Sequence, residues 1–266
     1  MSSKGRIIMS FSRVFKKAQD SMKGKSFILC VIVFIYMIVA QGASYVESIL
    51  NMINLTRDAD NLIDSTQPLW ITIMTLVLQG LLIVGYTNIM LNVARGKNVQ
   101  LGHLLSHWRL AVKALGLIVI MSIYVMLWSL LFIVPGIIKL ISYSMSLYIL
   151  AEDPSKGIDE CITESRRIMY GHKAEVFGIG VVFGVINFLV IMILAAPVGV
   201  IGIVFAYNKS NMIMTIFIGV AILIGSVLSL WLYTIQEVTM AHIYLELSKE
   251  SVFSSIEGKR ISVEKQ

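Results

Sequence analysis

Charge is scarce in this chain. Asp, Glu, Lys and Arg make up only 14% of its 266 residues, against about a quarter in an ordinary soluble domain, and the deficit excludes a water-soluble globular fold. Cysteine is nearly missing too. Cys30 lies in an apolar run and Cys161 in a charged one; that excludes a disulfide framework, and neither has the spaced partners of a metal site. No polar stretch is long enough to fold as a separate soluble domain. A phosphate-binding glycine loop, a nucleophile elbow and a pair of catalytic carboxylates are also lacking. The sequence therefore assigns no catalytic residue, no metal and no cofactor, and the expectation is a protein that is not an enzyme, the alternative being an interfacial membrane enzyme that uses His103, His107, His172 or Glu237.

What the chain has in quantity is apolar sequence, 57% of it, with a mean hydropathy of +0.81. Blocks long enough to cross a bilayer recur from end to end. The pattern predicts an all-α, polytopic membrane bundle of six spans, over 26–46, 68–93, 112–134, 137–151, 175–196 and 214–233. Residues 1–266 then form one integral membrane domain: a basic amphipathic tail (1–25), a membrane region (26–246) and a second tail (247–266). The first block is read as a span rather than a cleaved leader, because the basic segment before it is long and the block itself can cross. The apolar, glycine-rich segment 197–207 is left open between an extension of the fifth span, an interfacial segment and a re-entrant dip.

The sparse cations are unevenly placed. Nineteen of the 22 Lys and Arg fall in the two tails and in the connections after the second and fourth spans. Arg57 and Lys209 fall on the other side, and Lys139 lies within a span. Such a bias predicts that both termini are cytoplasmic. It also bears on "LLFIVPGIIK" (Leu130–Lys139). The run Ala114–Ala151 would be about 57 Å long as one helix, far beyond the roughly 30 Å of a hydrocarbon core. Pro135 and Gly136 are therefore expected to mark a hairpin corner, with proline lacking an amide to satisfy and glycine tolerating unusual dihedrals.

Each connection that precedes an outward span carries an apolar stripe at helical spacing. The first is Ile7, Ile8, Phe11, Val14, Phe15, Ala18 and Met22. The second is Leu101, Leu104, Leu105, Trp108 and Val112. The third is Ile158, Cys161, Ile162, Ser165, Ile168 and Met169, in a helix expected to start with Asp153 as cap and Pro154 at its first position and to stop at Gly171. Two junctions look alike, "MKGKSFIL" at Met22 and "MYGHKAEVF" at Met169. The architecture expected is three hairpins, each preceded by a cytoplasmic in-plane helix. Such helices lie in the headgroup layer, so the expected partners are membrane lipids, anionic ones in particular, with a membrane-protein partner as the alternative. Orientation and anionic lipid account for the net charge of +6, and nucleic acid is not needed.

Candidate side chains follow from this placement. Lys16, Lys17, Arg166, Arg167, His172 and Lys173 are the headgroup candidates, on the stripes' polar faces and at the entry to the fifth span. Lys139, Gln79, Asn88, Ser142, Ser146, Asn187 and Glu237 are the intramembrane polar candidates; converging, they would border a path for a transporter or lipid scramblase, the alternative function. Lys139 is expected to snorkel toward the outer interface, and Glu237 to sit hydrated where the last span leaves the membrane. His103 and His107 stand four apart without the glutamate of a metalloprotease, and read as polar edges of an interfacial segment. "GVVFG" (Gly180–Gly184) is expected to seat a neighbouring helix.

From Trp128 to Phe177 the chain resembles a known family. The matching stretches are "LWSLLFIVPGIIKLISYSMSLYILAEDP" and "SRRIMYGHKAEVF", with Pro135, Gly136, Tyr143, Met145 and Tyr148 in the first and Ser165, Met169, Gly171, His172, Lys173 and Phe177 in the second. It is similar to an uncharacterised family of bacterial integral membrane proteins, found mainly in Firmicutes and classed as domain-of-unknown-function family nine-seventy-five. More distantly it resembles the membrane region attached to some bacterial glycerophosphodiester phosphodiesterases. The resemblance implies a helical membrane fold in a bacterial plasma membrane. It implies no chemistry, because the phosphodiesterase activity belongs to a separate soluble domain. The function expected is a non-catalytic envelope component that contacts or organises lipid, or assists another membrane system.

Overall fold

The computed structural model describes the backbone of residues 11–57, 69–207 and 212–264, and the side chains of most residues within 11–42, 70–192 and 220–251. Every regular element among them is helical. In chain order these are α1 (Phe11–Met22), α2 (Ser26–Arg57), α3 (Leu69–Ala94), two short 3-10 helices (Leu101–Leu105 and Trp108–Leu110), α4 (Ala111–Leu131), α5 (Ile133–Tyr143), α6 (Ser146–Glu152), α7 (Ile158–Ile168), α8 (Lys173–Tyr207) and α9 (Met212–Glu264). Five segments are long and apolar enough to cross a bilayer, and a sixth, Ser26–Gly42, counts when joined to α1, from which it is bent by 100°. The protein is an all-helical, multi-pass membrane bundle. The backbone of 197–207 continues α8 as helix, which closes the question its sequence left open.

α4 and α5 form a hairpin, but its corner lies three residues before the proline. Phe132 alone breaks the helix, with extended dihedrals (φ −159°, ψ 148°). Pro135 sits in the first turn of α5, where its missing N–H has no carbonyl to serve. Gly136 is buried against α4. A methyl group there would strike the hydroxyl of Ser129 and lie 3.0 Å from its Cβ, so the glycine lets the two arms close. The pair follows the corner rather than forming it.

The fourth crossing, Ile133–Glu152, is itself broken between α5 and α6 at Ser144–Met145. A buried side chain from α7 fills the break. Ser165 Oγ accepts the Met145 N–H (3.2 Å) and donates to the Ser142 carbonyl (2.8 Å). Two backbone groups that a continuous helix would satisfy are thus satisfied by one hydroxyl.

α1 and α7 bury the stripes read from sequence, within the chain rather than outward. Val14, Ala18 and Met22 are at most 2% exposed, and α1 packs on α9, with Phe11 edge-on to Phe183 of α8 at 5.4 Å. Ile7 and Ile8 lie outside the described residues. Cys161, Ile162, Ser165, Ile168 and Met169 of α7 are buried as well. The middle stripe differs. It is not an α-helix but two 3-10 turns; only Leu104 is buried, and Leu101, Leu105, Trp108 and Val112 are 46–82% exposed. α3 accepts the Leu104 backbone because residue 85 is glycine: a Cβ there would run into the Leu104 carbonyl.

The two similar junctions adopt one geometry. Gly24 and Gly171 both have left-handed φ (75° and 90°), and the amides of Lys25 and His172 each bond back to the preceding methionine, Met22 or Met169. Glycine tolerates that conformation without penalty. α4 has no such turn before it, so the expected threefold pattern holds at two junctions. α7 also starts later than expected, at Ile158, with the Glu160 carboxylate accepting from the Gly157 amide (2.9 Å). Asp153 instead accepts from the amide and hydroxyl of Ser155, which hold its carboxyl below the usual range.

Burial is concentrated at the end of the bundle that carries α1, α7 and the later turns of α9. At the α4–α5 corner Leu130–Val134 are 64–76% exposed. The contrast has a physical reason. Lipid tails are as apolar as leucine, so helix faces in the hydrocarbon gain little by meeting, whereas stripes near water gain about 25 cal/mol for each Å² they cover.

Candidate functional site

A cavity of about 610 Å³ opens among α2, α3, α5, α6, α8 and α9. One face of α9 supplies Tyr233, Gln236, Glu237 and Met240, at helical spacings of three and four. Ile83, Tyr86 and Thr87 of α3 and Tyr36 of α2 close the inner side. Ser144, Leu147 and Tyr148 line it on either side of the break between α5 and α6. Leu140 of α5 and Phe177, Gly180 and Val181 of α8 form a wall whose residues are also exposed on the outside of the bundle. The cavity therefore opens sideways, between α5 and α8.

Two stacks fix the aromatic lining: Tyr36 on Tyr86 (4.2 Å, 12°) and Tyr148 on Tyr244 (5.5 Å, 20°). Tyr244 in turn donates to Glu152, which also pairs with Arg95. Glu237 is the one charged residue in the wall, and it makes no ion pair among the described residues. The fully buried hydroxyl of Tyr86 stands with that of Tyr233 beside the Glu237 carboxyl, as its hydrogen-bonding neighbours.

A second grouping lies across α5, α7 and α8. Lys139 sits over the ring of Trp128 (4.5 Å), a cation–π contact. Arg166 and Lys173 are the charges close enough to act on it, and no carboxylate is among them. Neither Arg166 nor Lys173 makes an ion pair among the described residues. None of these three cations, drawn from three helices, makes an ion pair among the described residues.

The remaining headgroup candidates are placed differently. Lys16 is exposed on α1, whereas Lys17 pairs with Glu246 and Arg167 reaches Glu164 at 3.7 Å. His172 is buried between Glu175 (3.3 Å) and Glu250 (3.6 Å), tying the start of α8 to α9; the carboxylates on both sides of the ring make it a poor phosphate ligand.

The intramembrane candidates do not converge on one path. Asn88 donates to the Ala151 carbonyl (3.3 Å) and accepts from Asn92 (2.7 Å). Ser142 and Asn187 bond back to their own helices, at Ile138 and Phe183. Gln79 lies against Tyr36, and Ser146 is buried with no partner for its hydroxyl. Glu237, half-buried on α9, alone of that set lines the cavity; Ser144, a neighbour of the named serines, lines it too. Gly180 and Gly184 are both exposed, with open space where a Cβ would stand, so "GVVFG" seats no helix.

His103 accepts from the Gln100 amide (3.4 Å) and His107 bonds Ser106 (2.7 Å). No cluster of three metal-ligating side chains occurs among the described residues. Sequence reasoning missed Tyr36, Tyr86, Tyr148 and Tyr233. The available signal was a set of tyrosines inside apolar spans, one of them four residues before Glu237.

A family model described as "Protein of unknown function (DUF975)" matches residues 133–251, from the α4–α5 corner through the entry of α9 into its later turns. The match takes in both α5 and α8, the cavity's lateral opening, and the three cations. No curated protein and no solved structure matches the chain.

Proposed function

On the premise that residues 133–251 belong to this family of unknown function, we propose that the protein is a non-catalytic component of a bacterial cytoplasmic membrane that binds and organises anionic lipid. One observation carries the reading: Lys139, Arg166 and Lys173, from α5, α7 and α8, make no ion pair among the described residues, and the charges acting on Lys139 are the other two cations. Like charges so grouped favour an anion, and a phosphate at the membrane surface is the anion at hand. The charge bias of the connections supports cytoplasmic termini, which puts Arg166 and Lys173 on the leaflet rich in anionic headgroups.

The test is lipid retention. Extracted in polymer-bounded discs without detergent, the protein is expected to carry anionic phospholipid in excess over the bulk membrane. Each cation near the surface contributes about 1 kcal/mol, so Arg166→Glu with Lys173→Glu reduces the excess by about tenfold or more. Retention unchanged in that double variant would refute the reading.

A further inference from the structure

We infer that the cavity between α3, α5, α8 and α9 receives an organic ammonium group carried on an alkyl chain, with Glu237 as its counter-charge. The inference stands apart from the anionic-lipid site, which uses different residues and the opposite sign of charge.

Four observations lead to it. A carboxylate inside a membrane bundle is costly unless paired, and Glu237, half-buried at the cavity wall, has no cationic partner among the described residues. Neither lysine nor arginine lines the cavity, so an anion would meet only repulsion from Glu237. Around that carboxylate stand Tyr36, Tyr86, Tyr148 and Tyr233, from three spans and the broken crossing; aromatic rings attract an alkylammonium by up to about 2 kcal/mol when desolvated. The hydroxyls of Tyr86 and Tyr233 are the carboxylate's hydrogen-bonding neighbours, and neither brings it a positive charge.

Size and access select the class of cation. The volume, about 610 Å³, suits a molecule rather than a bare ion, and no group of three metal-ligating side chains forms around Glu237 among the described residues. The lateral opening is apolar: Leu140, Phe177 and Val181 are 59%, 48% and 45% exposed. Gly180 leaves that wall open, since nothing lies within 4 Å of where its Cβ would be. A cationic head on Glu237 with its hydrocarbon chain leaving between α5 and α8 uses every one of these surfaces. A hydrocarbon alone would leave Glu237 unpaired.

An ammonium of this kind can come from a membrane aminophospholipid or from a free alkylamine, and the experiment separates them. The full-length protein in discs of phosphatidylglycerol is titrated with dodecyltrimethylammonium, with dodecanol as the uncharged control. Saturable binding of the cation is expected, with dodecanol at least tenfold weaker. Glu237→Gln weakens the cation by tenfold or more. Gly180→Leu blocks the opening from a site with room for the side chain, and keeps the test valid if the Glu237 variant does not fold. In discs drawn from native membrane, loss of phosphatidylethanolamine in Glu237→Gln identifies the lipid as the source; unchanged lipid, with the added amine bound by the unsubstituted protein and weakened in Glu237→Gln, identifies the free amine. Equal binding of cation and dodecanol, or a cation affinity untouched by both Glu237→Gln and Gly180→Leu, would overturn the inference. Arg166→Glu with Lys173→Glu leaves cation binding intact, so failure of either site is read independently.

Discussion

Ser165→Ala isolates the single hydroxyl that spans the broken fourth crossing. The substitution removes the acceptor of the Met145 N–H and the donor to the Ser142 carbonyl, and leaves both backbone groups buried. Ser142 is 1% exposed and Met145 and Ser165 are fully buried, so no water enters to replace the hydroxyl without a rearrangement. An unsatisfied buried polar group costs about 1–3 kcal/mol. With two groups stranded and little volume removed, the loss comes to about 2–5 kcal/mol of unfolding free energy. The assay is reversible denaturation in mixed micelles, followed by tryptophan emission, with Thr163→Ala on the exposed face of α7 as the control. The variant is expected to shift by the stated amount and the control by less than about 0.5 kcal/mol. A Ser165→Ala protein as stable as its control would show that the break closes by itself, and the account of the fourth crossing would fail.

Gly85→Ala drives a methyl group into the Leu104 backbone, whose carbonyl carbon would lie 2.6 Å away; a loss of about 1–3 kcal/mol is expected from overpacking, and an unchanged transition would place the 3-10 segment elsewhere. Cys161 is fully buried on α7, and burial pushes its thiol up, so in intact membranes it should resist maleimide at neutral pH and react only after denaturation. Rapid labelling of the native protein at Cys161 would contradict the packing of α7. With both native cysteines replaced by alanine, Lys156→Cys should be shielded from an impermeant probe in whole cells and labelled once the cells are opened; labelling from outside would reverse the proposed topology.

Long apolar blocks and a lopsided charge distribution made the helical membrane architecture legible without coordinates, because hydrocarbon thickness and backbone satisfaction leave few alternatives. The local signals were less exact. Pro135 and Gly136 report that a break is near, but the same properties suit a first helical turn and a close helix contact, and Phe132, which makes the corner, has no chemistry that marks it. Amphipathic stripes say which face is covered and not by what: Val14, Ala18 and Met22 could meet lipid or protein, and in the structure α9 covers them. The tyrosine cavity was the least legible. It draws on helices some 200 positions apart, from Tyr36 to Glu237, and no spacing rule links residues that only tertiary packing assembles.

The seat of α1 on α9 also sets an order of events. α1 leaves the ribosome early, while the turns of α9 that it pairs with through Lys17–Glu246 and Ser21–His242 are made more than 200 residues later. Until then its greasy side has no permanent home, and the bilayer surface is the natural waiting place for such a segment. α1 can therefore complete its seat only once α9 has been made, a clasp that closes across the described bundle from one end of its sequence to the other.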